Sequence, residues 1–297
     1  MTERPPPARV LGIGELLWDL FPDGRRLGGA PFNVTANLRR LGHPGAFLTA
    51  VGDDELGREA IAAAEDRAID TSFMGVSSDL PTGTVAVVPD ARLGHRFAIG
   101  SPAAYEALHV VDDAAGRIEA WGPGAVVFGT LAQRFPATLA LTRRIVTAGA
   151  PATALYDVNL RVGCWSPGLL VQLLPLATVV KVNEPEAEVL GGILGCESVP
   201  AALGERLARD FGIASLCVTR GEAGAALWAD GQLHAVDGIP VEVTDTVGAG
   251  DAFAAGLLHG TLAGKAPADR LAFANRLGAL VASRAGALPD WRVEEIA

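Results

Sequence analysis

Residues 245–251 read Asp245-Thr246-Val247-Gly248-Ala249-Gly250-Asp251, and residues 252–264 that follow contain no Asp, Glu, Lys or Arg. A glycine turn that opens an apolar helix, with an acid in the first helical turn, is a device for holding an anion beside a base. Glycines at 248 and 250 let successive backbone N–H groups converge, and the positive pole of the helix adds to their field. An acid there can take the proton of an acceptor hydroxyl while the N–H groups hold a phosphoryl group in transit. Asp251 is the candidate base, Gly248, Ala249 and Gly250 are the candidate amide donors, and Asp245 and Thr246 brace the turn or bind a cation. An ordinary strand–turn–helix joint, with Asp251 complementing the helix dipole, accounts for the same residues. Other phosphate motifs are missing. Gly264-Lys265 is followed by Ala266 rather than Ser or Thr, and Gly12-Ile13-Gly14 lacks the third glycine of a dinucleotide fingerprint.

Outward from this turn, short β-branched runs alternate with Ala/Leu/Arg segments of helical period. Strands are predicted at 9–14, 46–51, 125–128, 153–157, 178–182 and 215–219, and helices at 32–41, 55–68, 137–148, 199–211, 251–263 and 267–284. Such alternation implies a mostly parallel sheet covered on both faces, a three-layer α/β/α architecture. Segments 16–28 and 82–105 break the rhythm with extended pieces and turns, and are expected to form a small accessory β lid within a single domain spanning 1–297. Gly256, Gly260 and Gly264 recur every fourth residue, a spacing expected to pack the helix closely on the sheet.

Composition limits the partners. With 49% hydrophobic and 20% charged residues a large buried core is expected. The net charge is −10 and no basic run exceeds a pair, which argues against a nucleic-acid partner. Cys164, Cys196 and Cys217 lack CxxC spacing, which fits a reducing compartment without disulfides or structural zinc. The opening Thr-Glu-Arg-Pro-Pro-Pro does not read as a signal peptide. The uncharged run 162–180 is broken by Pro167, Gly168, Gln172 and Pro175, so a membrane helix is not expected. A cytoplasmic location follows as an expectation.

Three further clusters carry chemistry. A polyol is held by Asp, Asn and Arg side chains that take paired hydroxyls. Asp19, which alone would be a surface acid, forms a candidate cluster with Gly28, Gly29 and Asn33. In Asp157-Val158-Asn159-Leu160-Arg161, period two places Asp157, Asn159 and Arg161 on one side, unless the segment is only a polar strand exit. In Lys181-Val182-Asn183-Glu184-Pro185-Glu186, Asn183 is an N-cap and Glu186 completes a capping box three residues later.

Asp245 to Phe253 resembles the C-terminal signature of the ribokinase-like (PfkB) carbohydrate kinases, and Gly28-Gly29-Ala30-Pro31-Phe32-Asn33, running to Leu41-Gly42, resembles their N-terminal signature. Val51 to Gly57 is similar to the segment that follows it. Within the family, Glu15 to Pro22 with Gly29-Ala30-Pro31 is most similar to bacterial fructokinases. The resemblance implies a ribokinase-like fold and an ATP-dependent kinase acting on a primary hydroxyl of a monosaccharide, fructose first. 2-Keto-3-deoxygluconate, ribose and nucleosides are alternative acceptors, and a non-catalytic sugar-binding regulator is the alternative outside enzymes.

The same resemblance implies roles for individual residues. Asp251 is the base and the preceding amides form the anion hole. Asp19, Gly28, Gly29, Asn33 and Asn159 are sugar contacts, with Arg161 near both substrate and phosphate. Phe97 and Tyr105 are lid candidates, although Ala103-Ala104-Tyr105-Glu106 stands where Ala-Ala-Trp-Asp is expected. Arg96 is the one positive charge near the lid that a keto acid would want. Asn183 and Glu186 organise Mg²⁺, largely through water. Lys181, Thr219, Gly221, Gly224 and Asn275 face ATP, and Asp245 with residues 282–287 makes a candidate K⁺ site. Sugar and ATP are the expected partners, with neither nucleic acid nor membrane, and a homodimer through the lid is left open.

Overall fold

The computed structural model describes residues 7–22, 24–90, 94–108, 114–149 and 151–296, with 87–90 and 94–97 as backbone alone. Its first half contains β1 (Val10–Ile13), β2 (Leu17–Phe21), β3 (Gly24–Gly28), α1 (Ala30–Arg40), β4 (Gly45–Gly52), α2 (Glu55–Glu65), β5 (Met74–Ser77), β6 (Gly83–Asp90) and β7 (Gly94–Ile99). The middle contains α3 (Ala114–Trp121), β8 (Ala125–Gly129), α4 (Pro136–Gly149), β9 (Thr153–Asp157), α5 (Pro167–Leu173), β10 (Val179–Asn183) and α6 (Glu184–Leu194). The chain ends with α7 (Pro200–Phe211), β11 (Ser215–Thr219), β12 (Ala225–Ala229), β13 (Gln232–Val236), α8 (Ala249–Leu262) and α9 (Pro267–Ala282).

The large sheet has the order β13-β12-β11-β10-β9-β8-β1-β4-β5. From β11 to β5 every pairing is parallel, while β12 and β13 turn back as an antiparallel edge. A parallel sheet buried on both faces needs near-continuous apolar strands, and β4 and β8 are buried along their whole length. Alternate side chains feed opposite layers. Leu11, Ile13, Val126, Phe128, Tyr156, Val180 and Val182 pack with residues of α3, α4, α5, α6 and α7. Val10, Val127, Leu155, Val179 and Cys217 pack with residues of α1, α8 and α9. By the same alternation Asp157 and Lys181 belong to the second face, the one that α8 covers.

Both irregular segments join the second sheet, of order β3-β2-β6-β7. Its middle pair, β2 and β6, is parallel, and Asp19 lies opposite Arg26 on β3. No helix among the described residues is long and apolar enough to cross a membrane.

The predicted strands and helices lie close to observed ones. Unpredicted are β5, β12, β13, α3 and α5. The run Ala225-Ala226-Leu227-Trp228-Ala229 of β12 has helix-forming composition, and its place in the sheet is set by pairing with β11 and β13. The glycine stripe of α8 also differs from expectation. A Cβ at Gly256 would meet Ala274 and one at Gly260 would meet Arg270, so this face packs on α9, not on the sheet.

Candidate active site

Glu15, Asp157, Asn183 and Thr219 lie at or just beyond the carboxyl ends of parallel strands, where open α/β sheets bind ligands. The N-terminus of α8 meets them there. Its N-cap is Gly248 at φ 80, and a Cβ on Gly248 would lie 2.3 Å from the carbonyl oxygen of Ala287. Both the left-handed backbone and the close approach require glycine. The first helical bond runs from Ala252 N–H to the Gly248 carbonyl at 2.8 Å. Helix geometry leaves the N–H groups of Ala249, Gly250 and Asp251 without intrahelical acceptors. The Ala249 N–H turns back to the Thr246 carbonyl at 3.3 Å. That leaves the Gly250 and Asp251 N–H groups as donors at the helix end.

Asp251 is only slightly exposed, and its Oδ2 accepts a hydrogen bond from Asn33 Nδ2 at 2.8 Å. Burial, reinforced by the nearby charge of Asp157, pushes its pKa up to about 6, while Asn33, Lys181 and Arg161 pull it back. A carboxylate so tuned is a stronger base than an ordinary aspartate yet largely ionised at neutral pH.

Beneath it lies a buried ion pair. Lys181 Nζ sits 3.1 Å from both Oδ1 and Oδ2 of Asp157, its register partner on β9. Burial opposes the charge on Lys181, but Asp157, Asp251 and Glu186 outweigh it and raise the pKa, so the ammonium stays charged. A Cβ at Gly250 would be 3.3 Å from Nζ, which puts this cation at the anion turn.

The capping box is present as predicted. Asn183 Oδ1 accepts from Glu186 N–H at 2.9 Å, and Glu186 Oε2 accepts from Asn183 N–H at 2.9 Å. Glu186 Oε1 also accepts from Leu160 N–H at 2.8 Å, tying the loop after β9 to the start of α6. Burial, with Asp157, raises the Glu186 pKa. Both Glu186 oxygens therefore accept from backbone N–H groups. Among the described residues no three His, Cys, Asp or Glu side chains gather as a metal cluster.

On the acceptor side, Asp19 is pushed up to about 6, chiefly by burial, with Arg161 pulling down and Asp251 pushing up. The charge of Arg161 thus reaches both Asp19 and Asp251. A Cβ on Gly28 would lie 2.6 Å from Asp19 Oδ2. Gly29, at φ 121, approaches so closely that a Cβ would be 2.2 Å from the carbonyl oxygen of Glu15. Asn33 is buried, and its Oδ1 has no partner within the protein.

Three expectations about this side change. The strand alternation assumed across 157–161 stops at Asp157, because β9 ends there and Asn159 takes φ 39. Asp157 turns inward to Lys181, while Arg161 is exposed and acts on the acids at longer range. Tyr105 is not an open lid face. It is fully buried with Leu17, Val85, Ala103 and Ala132 at the base of the lid sheet. The side chains of Phe97 and Arg96 lie outside the described residues.

Sequence reasoning also missed Glu15. It is 5% exposed, with its pKa raised to about 7 by burial and then by Asp251, against hydrogen bonds from its own N–H and that of Ala30 and the charge of Arg161. Its position directly after Gly12-Ile13-Gly14 at a strand end was the available signal.

The segment proposed for nucleotide lies toward the antiparallel edge. Thr219 Oγ1 donates to the Val182 carbonyl at 3.3 Å. Arg220 N–H bonds the Gly224 carbonyl at 2.8 Å and Gly224 N–H bonds the Gly221 carbonyl at 3.1 Å, closing a tight loop. Asn275 is half-buried on α9, and its Nδ2 donates to the Asp237 carbonyl at 2.9 Å. Asp245 does meet the later loop. Its Oδ1 accepts from Val247 N–H and its Oδ2 from Gly286 N–H, each at 3.0 Å. A cation there would rely on backbone carbonyls.

The sequence model of the pfkB family carbohydrate kinases matches residues 23–293. A fructokinase of Escherichia coli is 31% identical over 298 residues, covering 95% of this chain and 95% of that one. An aminoimidazole riboside kinase of Salmonella typhimurium is 29% identical over 303 residues, covering 94% of this chain and 91% of that one. A crystal structure of fructokinase from Vibrio cholerae O395, in its fructose, ADP and calcium ion bound form, is 28% identical with a TM-score of 0.78, covering 95% and 94% of the two chains. With the match running through the lid sheet, the parallel strands and α8 alike, this chain belongs to the pfkB family of carbohydrate kinases.

Proposed function

We propose that the protein is an ATP-dependent fructokinase that transfers the γ-phosphoryl group to a primary hydroxyl of fructose. The observation that carries this is Asp251, at the N-terminus of α8, hydrogen-bonded to Asn33 and flanked by Asp19, Arg161 and the Lys181–Asp157 pair. Asp19, Gly29 and Asn33 position the sugar so that the acceptor hydroxyl faces Asp251. Asp251 takes its proton as the oxygen attacks phosphorus. The Gly250 and Asp251 N–H groups, backed by Lys181 and Arg161, hold the charge of the phosphoryl group. Mg²⁺ on the phosphates would spread their charge, with Asn183 and Glu186 holding its water shell. The lid sheet excludes water, which competes as an acceptor. The Salmonella relative supports a riboside as the second candidate acceptor.

Coupled ADP release, measured with fructose, ribose, 2-keto-3-deoxygluconate and nucleosides, separates these. Fructose is expected to have the highest kcat/KM. A higher value for any other acceptor would replace fructose in this assignment.

A further inference from the structure

We propose that residues 286–291 form a brace that sets the sugar side of the site against the anion turn, with Asn37 as the positioning residue that ties this brace to α1. The proposal rests on the sugar-kinase assignment above. Asn33 and Asn37 are four residues apart on α1, so their side chains share one face of the helix. Asn37 is buried, and asparagine is a poor helix former. Both ends of its amide are engaged. Nδ2 donates to the Asn33 carbonyl at 2.9 Å, and Oδ1 accepts from Trp291 Nε1 at 3.1 Å. Asn33 in turn donates to Asp251 at 2.8 Å. Three hydrogen bonds thus lead from Trp291 to the base.

The brace is anchored at both ends. At its start, Gly286 N–H donates to Asp245 Oδ2 at 3.0 Å, and Ala287 lies so close to Gly248 that no Cβ fits between them. Leu288 packs against the cluster of Leu16, Trp18 and Phe32. At its end, Arg40 donates to the Pro289 carbonyl at 2.6 Å and to Asp290 Oδ1 at 3.0 Å, with its guanidinium 5.3 Å over the Trp291 ring. Trp291 is buried in a cluster with Ala252, the residue after Asp251. One short segment therefore touches the anion turn, the first turn of α8 and the helix that carries Asn33. At their other ends α1 and α8 are joined through His43 Nε2 and His259 Nδ1, 3.0 Å apart. An apolar pair at 37 and 291 would fill the same space with no polar group to satisfy. A satisfied buried polar contact instead fixes one arrangement. Phosphoryl transfer needs that precision, because a misplacement of about 1 Å can cost about 10²-fold in rate.

The test separates position from stability with a pair of variants and their combination, each assayed well below its melting temperature. Trp291→Phe keeps a ring beneath Arg40 but leaves Asn37 Oδ1 buried without a donor. Asn37→Leu leaves the Trp291 N–H without an acceptor. Each should lower the melting temperature, and the double variant, which removes both polar partners, should recover most of the loss. Activity should not recover with it. In the double variant kcat/KM for the sugar should stay about 10–100-fold below wild type, with ATP KM little changed. Hydrogen exchange of the Asn33 side-chain amide, followed by ¹⁵N NMR, should be about tenfold faster than in wild type. A kcat/KM that returns together with the melting temperature would overturn the proposal, since the contact would then serve the fold alone, and so would unchanged exchange at Asn33. Wild-type protein that released no ADP with any sugar would defeat the kinase assignment instead, and the exchange measurement would still decide the brace.

Discussion

Asp251→Asn should cost activity and add stability. The change preserves size and an oxygen to accept from Asn33 but removes the base, so turnover should fall roughly 10²–10⁴-fold, the usual share of general-base catalysis. The stability gain follows from the site. The folded protein moves the Asp251 pKa from 3.8 to about 6, through burial first and Asp157 second. At about 1.4 kcal/mol per pH unit this is up to about 3 kcal/mol held against folding when the group is ionised. Because the folded value lies above the unfolded one, the folded state binds the extra proton. The burden is absent below about pH 4, grows between about pH 4 and 6, and is full above that. A chain of this length unfolds with an entropy near 0.6 kcal/mol/K by the per-residue average, so the variant should melt up to about 5 °C higher at pH 8. The gain should shrink toward zero near pH 4. Thermal melts at both pH values and coupled ADP release test this. Near wild-type turnover would remove Asp251 as the base. An unchanged or lower melting temperature at pH 8 would refute the claim that its charge is held at a cost to the fold.

Other predictions follow from the same site. Asp251 and Asp19 are raised to about 6 and Glu15 to about 7, so kcat/KM for the sugar should fall as pH drops through that range. The apparent values belong to the coupled cluster, and a profile flat to about pH 5 would contradict it. Lys181→Met strands Asp157 as a buried charge and should cost about 3–5 kcal/mol in urea unfolding, with most of it restored when Asp157→Asn is added. Tyr105→Phe removes a buried hydroxyl that has no partner, and should raise the unfolding free energy by about 1 kcal/mol. A loss of that size would mean the hydroxyl is bonded.

What could be read from sequence was local. The turn at 248–251 and the box from Asn183 to Glu186 are defined by residues within one helical turn, so spacing alone located them. The core strands were legible because strands buried on both faces are apolar throughout. Pairings that depend on register were not. Lys181 and Asp157 are 24 residues apart and meet only because β9 and β10 align, so their ion pair has no signature in the local sequence. Asn159 illustrates another limit, since period two carries no warning of a positive φ. The resemblance implies a lid role for Tyr105, whereas the packing of Leu17 and Val85 buries it at the lid base. Glu15 carries no site role in the sequence reading, because the charges that reach it, Arg161 and Asp251, lie on other elements.

The most direct test of the account is ³¹P NMR of the protein mixed with ATP, Mg²⁺ and fructose. The account predicts loss of the γ-phosphate signal and growth of a phosphomonoester coupled to methylene protons, with little inorganic phosphate, and neither change in the Asp251→Asn variant on the same timescale. ADP with inorganic phosphate as the only products, or ester formation undiminished in the variant, would contradict it.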